Sequence, residues 1–400
     1  MKNNKSPYQL DISSFFIAAS FIFMFFSEGY EKYERYYNNT NPSSYLRFVF
    51  VVICFFVCIF RIREKHIITS LYALFFIALW FSLGYFIEYG EDYNSLYVLF
   101  KYISGIVILC ACLSIRNKKI IGNVFFYLFI INCIISWSAF LFDIEWIRTY
   151  GHIRALDGSW IDTRFGYNGL ILEQNVSTYF YIAGIYATYW QVRYNNKSKL
   201  YWLLTLSSLM IVGTKSVYIT FLLAPLFYFL RSCWQKVSVV VFSSLIAIPV
   251  LVYSGILNYD TANSIFSYRP YNFNERLLPL LENYSLFDMF FGMQISDYKE
   301  YLTEFELVDL ISFMGIISSI IYVSTFLTVI YYITLHISPR ESALNFVFTC
   351  FVISVMSGHL FYDPISMIYF SVALCGAYHY PTKKAACAAC HANDVVIDGK

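Results

Sequence analysis

Long apolar stretches alternate along this chain with polar segments of very unequal length. Twelve stretches are mostly apolar: residues 12–27, 45–60, 67–87, 95–115, 120–142, 170–190, 200–214, 216–230, 237–254, 307–334, 343–358 and 365–379. A membrane-crossing helix needs about 20 such residues, with a range of about 17–25. The pattern therefore predicts about twelve spans, several with short apolar cores. The seventh and eighth stretches meet at Gly213-Thr214-Lys215 and predict a tight, re-entrant-like hairpin. The first stretch has no small-residue cleavage site and runs into Glu28, Glu31 and Glu34, so it reads as a retained span and not as a signal peptide.

Composition supports a membrane assignment. Hydrophobic residues make up 58% of the 400 and charged residues only 14%, where a soluble domain has about a quarter charged. A soluble fold of this make-up would be left with an apolar exterior. With 40 Phe and 37 Tyr the chain cannot stay solvated, which excludes disorder. A soluble enzyme, a nucleic-acid binder and a coiled coil all fit poorly.

The net charge of +2 says nothing about partners, but its distribution sets the orientation. With the N-terminus in the cytoplasm, the cytoplasmic connections are short and basic. They carry Lys2, Lys5, Arg61, Arg63, Lys65, Arg116, Lys118, Lys119, Arg193, Lys197, Lys199, Arg231, Lys236, Arg340, Lys383, Lys384 and Lys400. Against these seventeen stand five acidic residues, Asp11, Glu64, Glu341, Asp394 and Asp398. The positive-inside rule is then met at every turn. The long polar connections, 28–44, 143–169 and 255–306, all fall on the opposite side. Because loops on a rigid scaffold carry function, recognition or chemistry is expected outside the cytoplasm.

The expected architecture is therefore all-α: a polytopic transmembrane helical protein of about 12 spans with large periplasmic loops. One membrane domain covers 1–380, and 381–400 is expected to be a disordered cytoplasmic tail. None of the ten cysteines lies in a long polar loop, so no disulfide framework is indicated. Cys387-Ala-Ala-Cys390-His391 spells a haem-attachment pattern, but on the cytoplasmic side, where such haem is not attached. A zinc site there lacks a fourth ligand. The chain has no phosphate-binding glycine loop, dinucleotide pattern, His-Glu-x-x-His or Asp-x-Asp metal pair, and no cofactor or metal is expected. No internal repeat marks an inverted-repeat transporter.

Four stretches resemble the Wzy-type O-antigen polymerases and, more distantly, the O-antigen ligases. The first runs from Arg164-Phe-Gly-Tyr-Asn through Glu173-Gln-Asn175 to Phe180. It resembles the family's Arg-x-x-Gly loop and helix-opening Asn, one residue shorter. The second, Gly213-Thr-Lys215-Ser216 before an apolar helix, is similar to a Ser-Arg-Ser/Gly segment with Lys in the Arg slot. The third joins Asn274-Glu275-Arg276, Phe291-Gly292 and the acidic helix start Glu306-Leu-Val-Asp309 that leads to Gly315. The fourth is Gly358-His359-Leu-Phe-Tyr-Asp363-Pro364. Together they span 164–364, half the chain.

The resemblance implies a glycosyltransferase of the inner membrane with both termini cytoplasmic. Its substrate would be an undecaprenyl-pyrophosphate-linked oligosaccharide. Its partners would be membrane lipid and a chain-length regulator protein, with no nucleic acid involved. The chemistry needs cations for the leaving pyrophosphate, a role that falls to Arg164, Lys215, Arg269 and Arg276. Arg offers bidentate contacts and Lys a point charge. Lys215 lies between apolar runs with no acidic residue within 40 positions; a charge at membrane depth costs about 2.5–3.5 kcal/mol and needs a partner or a snorkelling path.

The base for the acceptor hydroxyl would be Glu306, Asp309 or His359, with Asp363 orienting the histidine; His152 is a weaker candidate. Glu306 and Asp309, three apart at a helix start, equally suit the helix dipole. Trp146, Trp160, Tyr167, Tyr268, Tyr271, Tyr298 and Tyr301 suit either sugar stacking or the aromatic belt. A flippase for the same lipid usually has short loops on both sides, against the long segment 255–306. A ligase would be marked by a His within that segment, which has none.

Overall fold

The computed structural model describes residues 12–38, 44–61, 64–88, 93–150, 163–230, 269–282, 285–293, 305–335, 340–357 and 360–377, with isolated positions from 232 to 261 and at 303 and 337. Most of the stretch 237–254, the residues His152 and His359, and the whole 381–400 tail with its Cys387/Cys390/His391 lie outside the described residues.

The architecture is overwhelmingly helical. In chain order the elements are α1 (Ile12–Tyr37), α2 (Ser44–Phe60), α3 (Lys65–Glu88), α4 (Tyr93–Ser114) and α5 (Lys118–Phe142), then β1 (Arg148–Tyr150) and β2 (Thr163–Tyr167). There follow α6 (Gln174–Tyr194), α7 (Leu200–Ile211) and α8 (Lys215–Phe229). After two short pieces, α9 (Arg269–Asn272) and α10 (Leu278–Leu281), joined by a π turn, come α11 (Leu286–Phe291), α12 (Glu306–Leu335), α13 (Arg340–Ser357) and α14 (Pro364–Ala377). Among the described residues five helices are long and apolar enough to cross a membrane: Ile12–Tyr37, Ile67–Ile87, Asn94–Ser114, Lys118–Phe142 and Glu306–Leu335. Shorter apolar helices are Arg47–Phe60, Leu200–Ile211, Lys215–Phe229 and Pro364–Ala377.

The centre is α14, buried at every residue from Ile365 to Ala377 and packed on α4, α5 and α6. Helix α6 is buried over most of its length despite Gln174, Ser177, Thr178, Thr188 and Gln191. Enclosed by protein, these polar groups find partners, such as Thr205 Oγ1 at 3.1 Å from Thr188 Oγ1 and Asn123 Oδ1 at 2.8 Å from Gln191 Nε2. The periphery carries exposed Phe15, Phe23, Phe56, Phe75, Leu203 and Phe229, the surface a hydrocarbon environment accepts at no cost.

Two features depart from plain spans. Helix α1 does not stop at 27: it continues through Glu28, Glu31, Lys32 and Arg35 to Tyr37. Helix α12 breaks at Gly315, whose φ is 74°. The piece after the break, residues 316–335, is about 30 Å long at about 1.5 Å per residue, the thickness of a bilayer core. At the break the backbone meets Gly292, φ 86°, at the end of α11. The Met293 amide donates to the Ser312 carbonyl at 2.9 Å, and Trp80 stacks on Phe291 with ring centroids 4.8 Å apart. Only glycine fits this crossing, because a Cβ on either residue would meet the other helix's backbone. The Phe291-Gly292 and Gly315 parts of the third sequence stretch are thus one contact.

Candidate functional site

A β-hairpin caps one end of the bundle. Its strands pair antiparallel, Arg148 opposite Tyr167 and Tyr150 opposite Thr163. It is tied to α1 by Lys32, whose ammonium is fully buried. Lys32 Nζ donates to the Ile147 carbonyl at 3.1 Å, to Asn168 Oδ1 at 2.5 Å and to the Gly169 carbonyl at 2.8 Å. Asn132 of α5 holds the same turn, accepting from the Leu170 amide at 2.8 Å and donating to the Asn168 carbonyl at 3.1 Å.

The charged turn of α1 forms the floor of a polar cluster at this end. Glu31, fully buried, accepts from Arg35 four residues on and from Arg47 of α2 at 3.0 Å. One turn earlier Glu28, also fully buried, accepts from the Tyr369 hydroxyl of α14 at 3.1 Å through Oε2, while its Oε1 has no partner. Arg47 lies within electrostatic reach of Glu28, Glu31, Glu173 and Asp363. Glu173, just before α6, is exposed, and Asp363, just before α14, is half-buried. The cluster therefore grades from an exposed carboxylate to a buried one.

Asp363 caps α14, accepting from the Ile365 amide at 3.2 Å and from the Ser366 amide and hydroxyl at 3.3 and 3.0 Å. Burial, then the charge of Glu173, raises its carboxyl above the ordinary Asp range; Arg47 and the cap bonds oppose this. Beside it, Lys101 of α4 sits 4.5 Å from the Tyr362 ring centroid and donates to the Tyr362 hydroxyl at 3.3 Å.

The sequence candidates distribute around this cluster. Glu306 is buried and accepts three backbone amides, Leu360, Phe361 and Tyr362, each at 2.8 Å. It fixes the turn that His359 immediately precedes. Asp309, buried, accepts from the Thr303 amide at 2.9 Å and hydroxyl at 2.7 Å. Arg269 is buried and acts electrostatically on Tyr179, as do Glu306 and Asp363. Arg276 is exposed in the π turn, and Lys215 is exposed at the start of α8.

Arg164 lies on β2, and its side chain is outside the described set. Its strand nevertheless reaches Lys215's neighbourhood: Gly166 packs against the backbone of Ile211 to Gly213, and Thr149 Oγ1 donates to the Val212 carbonyl at 2.6 Å. Of the loop aromatics, Tyr167 is buried and donates to Asp143. Trp146 meets Tyr33 edge-on at 5.5 Å, and Tyr271 is exposed. Trp160, Tyr268, Tyr298 and Tyr301 lie outside the described residues.

Sequence reading missed Glu28, Glu31, Lys32, Arg47, Lys101, Glu173 and Tyr369. A signal was there for the first three. Glu28–Lys32 and Glu31–Arg35 are i, i+4 pairs, the spacing that sustains a helix.

A separate apolar cavity of ≈ 390 Å³ opens between α6, α7, α8 and α13, lined by Tyr186, Trp202, Phe221, Pro225 and Tyr228, with Asn345 at its margin. Compared with family models, curated proteins and solved structures, the chain matches none.

Proposed function

We propose that this chain is a bacterial inner-membrane polymerase of surface polysaccharide, joining undecaprenyl-pyrophosphate-linked oligosaccharide repeat units on the extracytoplasmic face. The topology proposed with it is about twelve spans with both termini cytoplasmic. Helices α1–α8 and α12–α14 cover eleven of the apolar stretches, and the basic short connections fall on the side away from the hairpin.

The observation that carries the reading is convergence. The N-termini of α6, α8, α12 and α14 meet at the hairpin end, linked by Ser177 with Thr214 at 3.5 Å and by Glu306 with the 360–362 turn. Helix N-termini carry partial positive charge and favour phosphate. Arg269, Lys215 and the strand bearing Arg164 gather at the same end. The cavity between α6, α7, α8 and α13 suits part of a polyprenyl chain.

In the proposed reaction the acceptor hydroxyl oxygen attacks the donor's anomeric carbon. The bond to pyrophosphate breaks, and its electron pair leaves with undecaprenyl pyrophosphate. Arg164, Lys215, Arg269 and Arg276 balance the departing charge. Of the three base candidates, His359 takes the hydroxyl proton in this scheme. Glu306 and Asp309 are assigned to holding their turns, because their oxygens already accept from backbone amides and a hydroxyl. A flippase for the same lipid is the second reading, favoured by the charges of Glu28 and Arg47 inside the bundle.

The test is lipopolysaccharide banding in a strain lacking this gene, complemented with wild type or Lys215→Ala. A polymerase leaves a single core-plus-one-repeat band when absent. Wild type restores the ladder, and Lys215→Ala does not. Loss of every O-antigen band, the single repeat included, would replace the polymerase with a flippase or ligase.

A further inference from the structure

Of the two buried carboxylates of α1, Glu28 is the one that no cation holds by a hydrogen bond among the described residues. Its neighbour Glu31 receives both Arg35 and Arg47. Lys32 spends its three hydrogen bonds on neutral oxygens. Glu28 is left with one hydroxyl donor, Tyr369 at 3.1 Å, and a buried oxygen, Oε1, without any partner. An ionised carboxylate has about four acceptor sites to fill, and a buried charge that lacks hydrogen-bonded partners costs far more than its neutral form. A carboxylic acid costs less in the same surroundings: Oε2 keeps the Tyr369 hydroxyl as its donor, and what is left unbonded at Oε1 is a neutral O–H and not a share of an ionic charge.

The groups that face Glu28 fix how a proton there would be controlled. Glu31 and Lys32 come from α1, Arg47 from α2, Asp363 from the turn before α14 and Tyr369 from α14 itself; Glu173, before α6, acts on Arg47 and Asp363 in turn. Arg47 acts electrostatically on both Glu28 and Glu31. It donates to Glu31, and its Nε, like Glu28 Oε1, has no partner.

We propose that Glu28 is a reversible proton-binding site inside the bundle, and that its occupancy is coupled to whether Arg47 is held by Glu31 alone or is shared with Glu28. Loading transfers H⁺ from hydronium to the Glu28 carboxylate, giving COOH and H₂O, with no redox step. When the proton leaves, Arg47 turns its unbonded Nε toward Glu28. The site lies on the graded path from exposed Glu173 through half-buried Asp363, so it exchanges with solvent at the hairpin end. The inference stands whether or not the chain polymerises glycan.

The experiment is an infrared pH titration of the purified full chain in lipid nanodiscs. It follows the carbonyl band of protonated carboxylic acids in wild type, Glu28→Gln, Arg47→Gln and the control Asp309→Asn. At neutral pH the wild type and Asp309→Asn show a band that Glu28→Gln lacks. The band disappears at alkaline pH, and in Arg47→Gln it persists to higher pH than in wild type. If Glu28→Gln does not fold, the Arg47→Gln shift decides. A wild type with no such band at neutral pH, a band surviving in Glu28→Gln, or an Arg47→Gln titration at the wild-type pH would overturn the proposal. So would a band abolished by sodium at fixed pH, which would make Glu28 a metal-cation site.

Discussion

Replacing Lys32 by Met tests what holds the hairpin to the membrane bundle. The change keeps most of the side-chain volume and a good helix former, so α1 itself should persist. What it removes is the only described donor shared by three oxygens, Ile147 O, Asn168 Oδ1 and Gly169 O, brought together from two sides of the hairpin. A buried acceptor stripped of its partner costs about 1–3 kcal/mol, so three of them sum to about 3–9 kcal/mol. Removing the ammonium's own desolvation penalty offsets part of this, and the low end, about 3 kcal/mol, is the expected net loss.

That loss is local, because Lys32 bonds to the hairpin and its following turn and to no helix other than its own. Local opening is read by amide hydrogen exchange. At about 1.4 kcal/mol per factor of ten, peptides covering 144–150 and 166–170 should exchange about a hundredfold faster in Lys32→Met, with α13 unchanged. Unaltered exchange in the hairpin would show that the buried ammonium is not its tether. An equal acceleration throughout the protein would show that the loss is global and not confined to the hairpin.

Two further outcomes follow from the same geometry. Gly315→Ala forces a Cβ toward the Phe290 carbonyl at a residue whose φ is 74°. Left-handed strain of about 1–2 kcal/mol plus the displaced backbone should lower thermal stability by at least about 2 kcal/mol and shift the fluorescence of Trp80, which donates to Phe290 O at 3.1 Å; an unchanged melting temperature would refute the crossing. At the hairpin base, the Tyr167 hydroxyl and then Arg148 hold the Asp143 carboxyl below the ordinary Asp range. A depressed folded value contributes stability that is complete above the unfolded pKa and lost as pH falls through the folded one. Hairpin protection should therefore decline on acidification below about pH 4 in wild type and stay flat over that range in Asp143→Asn, and a wild type insensitive to acid would refute the linkage.

The apolar helices were legible because each is specified by its own residues. Phe-, Ile- and Leu-rich runs such as 120–142 must be helical in a membrane, where every backbone group needs an internal partner, and α5 occupies that run. The turn at Gly213 was legible for the same local reason, glycine and threonine between two apolar runs. What was not legible is set by distant partners. Residues 28–37 read as polar loop because five charged residues crowd into ten positions. They are helical, and Glu28, Gly29, Glu31 and Lys32 are buried, where Arg47, Tyr369 and Asn168, up to 341 positions away, supply bonds. The two-stranded hairpin was missed because strands of three and five residues carry no clear alternation. Its register depends on Lys32 and Asn132, which lie outside it.

The carboxylates at the hairpin end show why charge on a sequence does not identify chemistry. Glu306, Asp309, Glu31 and Glu28 are all buried acids in or beside apolar runs, and nothing local separates them. The donors around each one do. Glu306 receives three amides and Asp309 an amide and a hydroxyl. Both are held in place as backbone fasteners. Glu31 receives two guanidinium groups. Glu28 receives one hydroxyl. A group already saturated with donors gains little from changing its protonation state, whereas an under-supplied one gains most, and so the acid least supported by the fold is the one free to exchange a proton. In the proposed scheme this criterion assigns Glu306 and Asp309, at the start of α12, to holding their turns. The reactive acid of the cluster sits on α1, in the segment whose charges made it look like a loop.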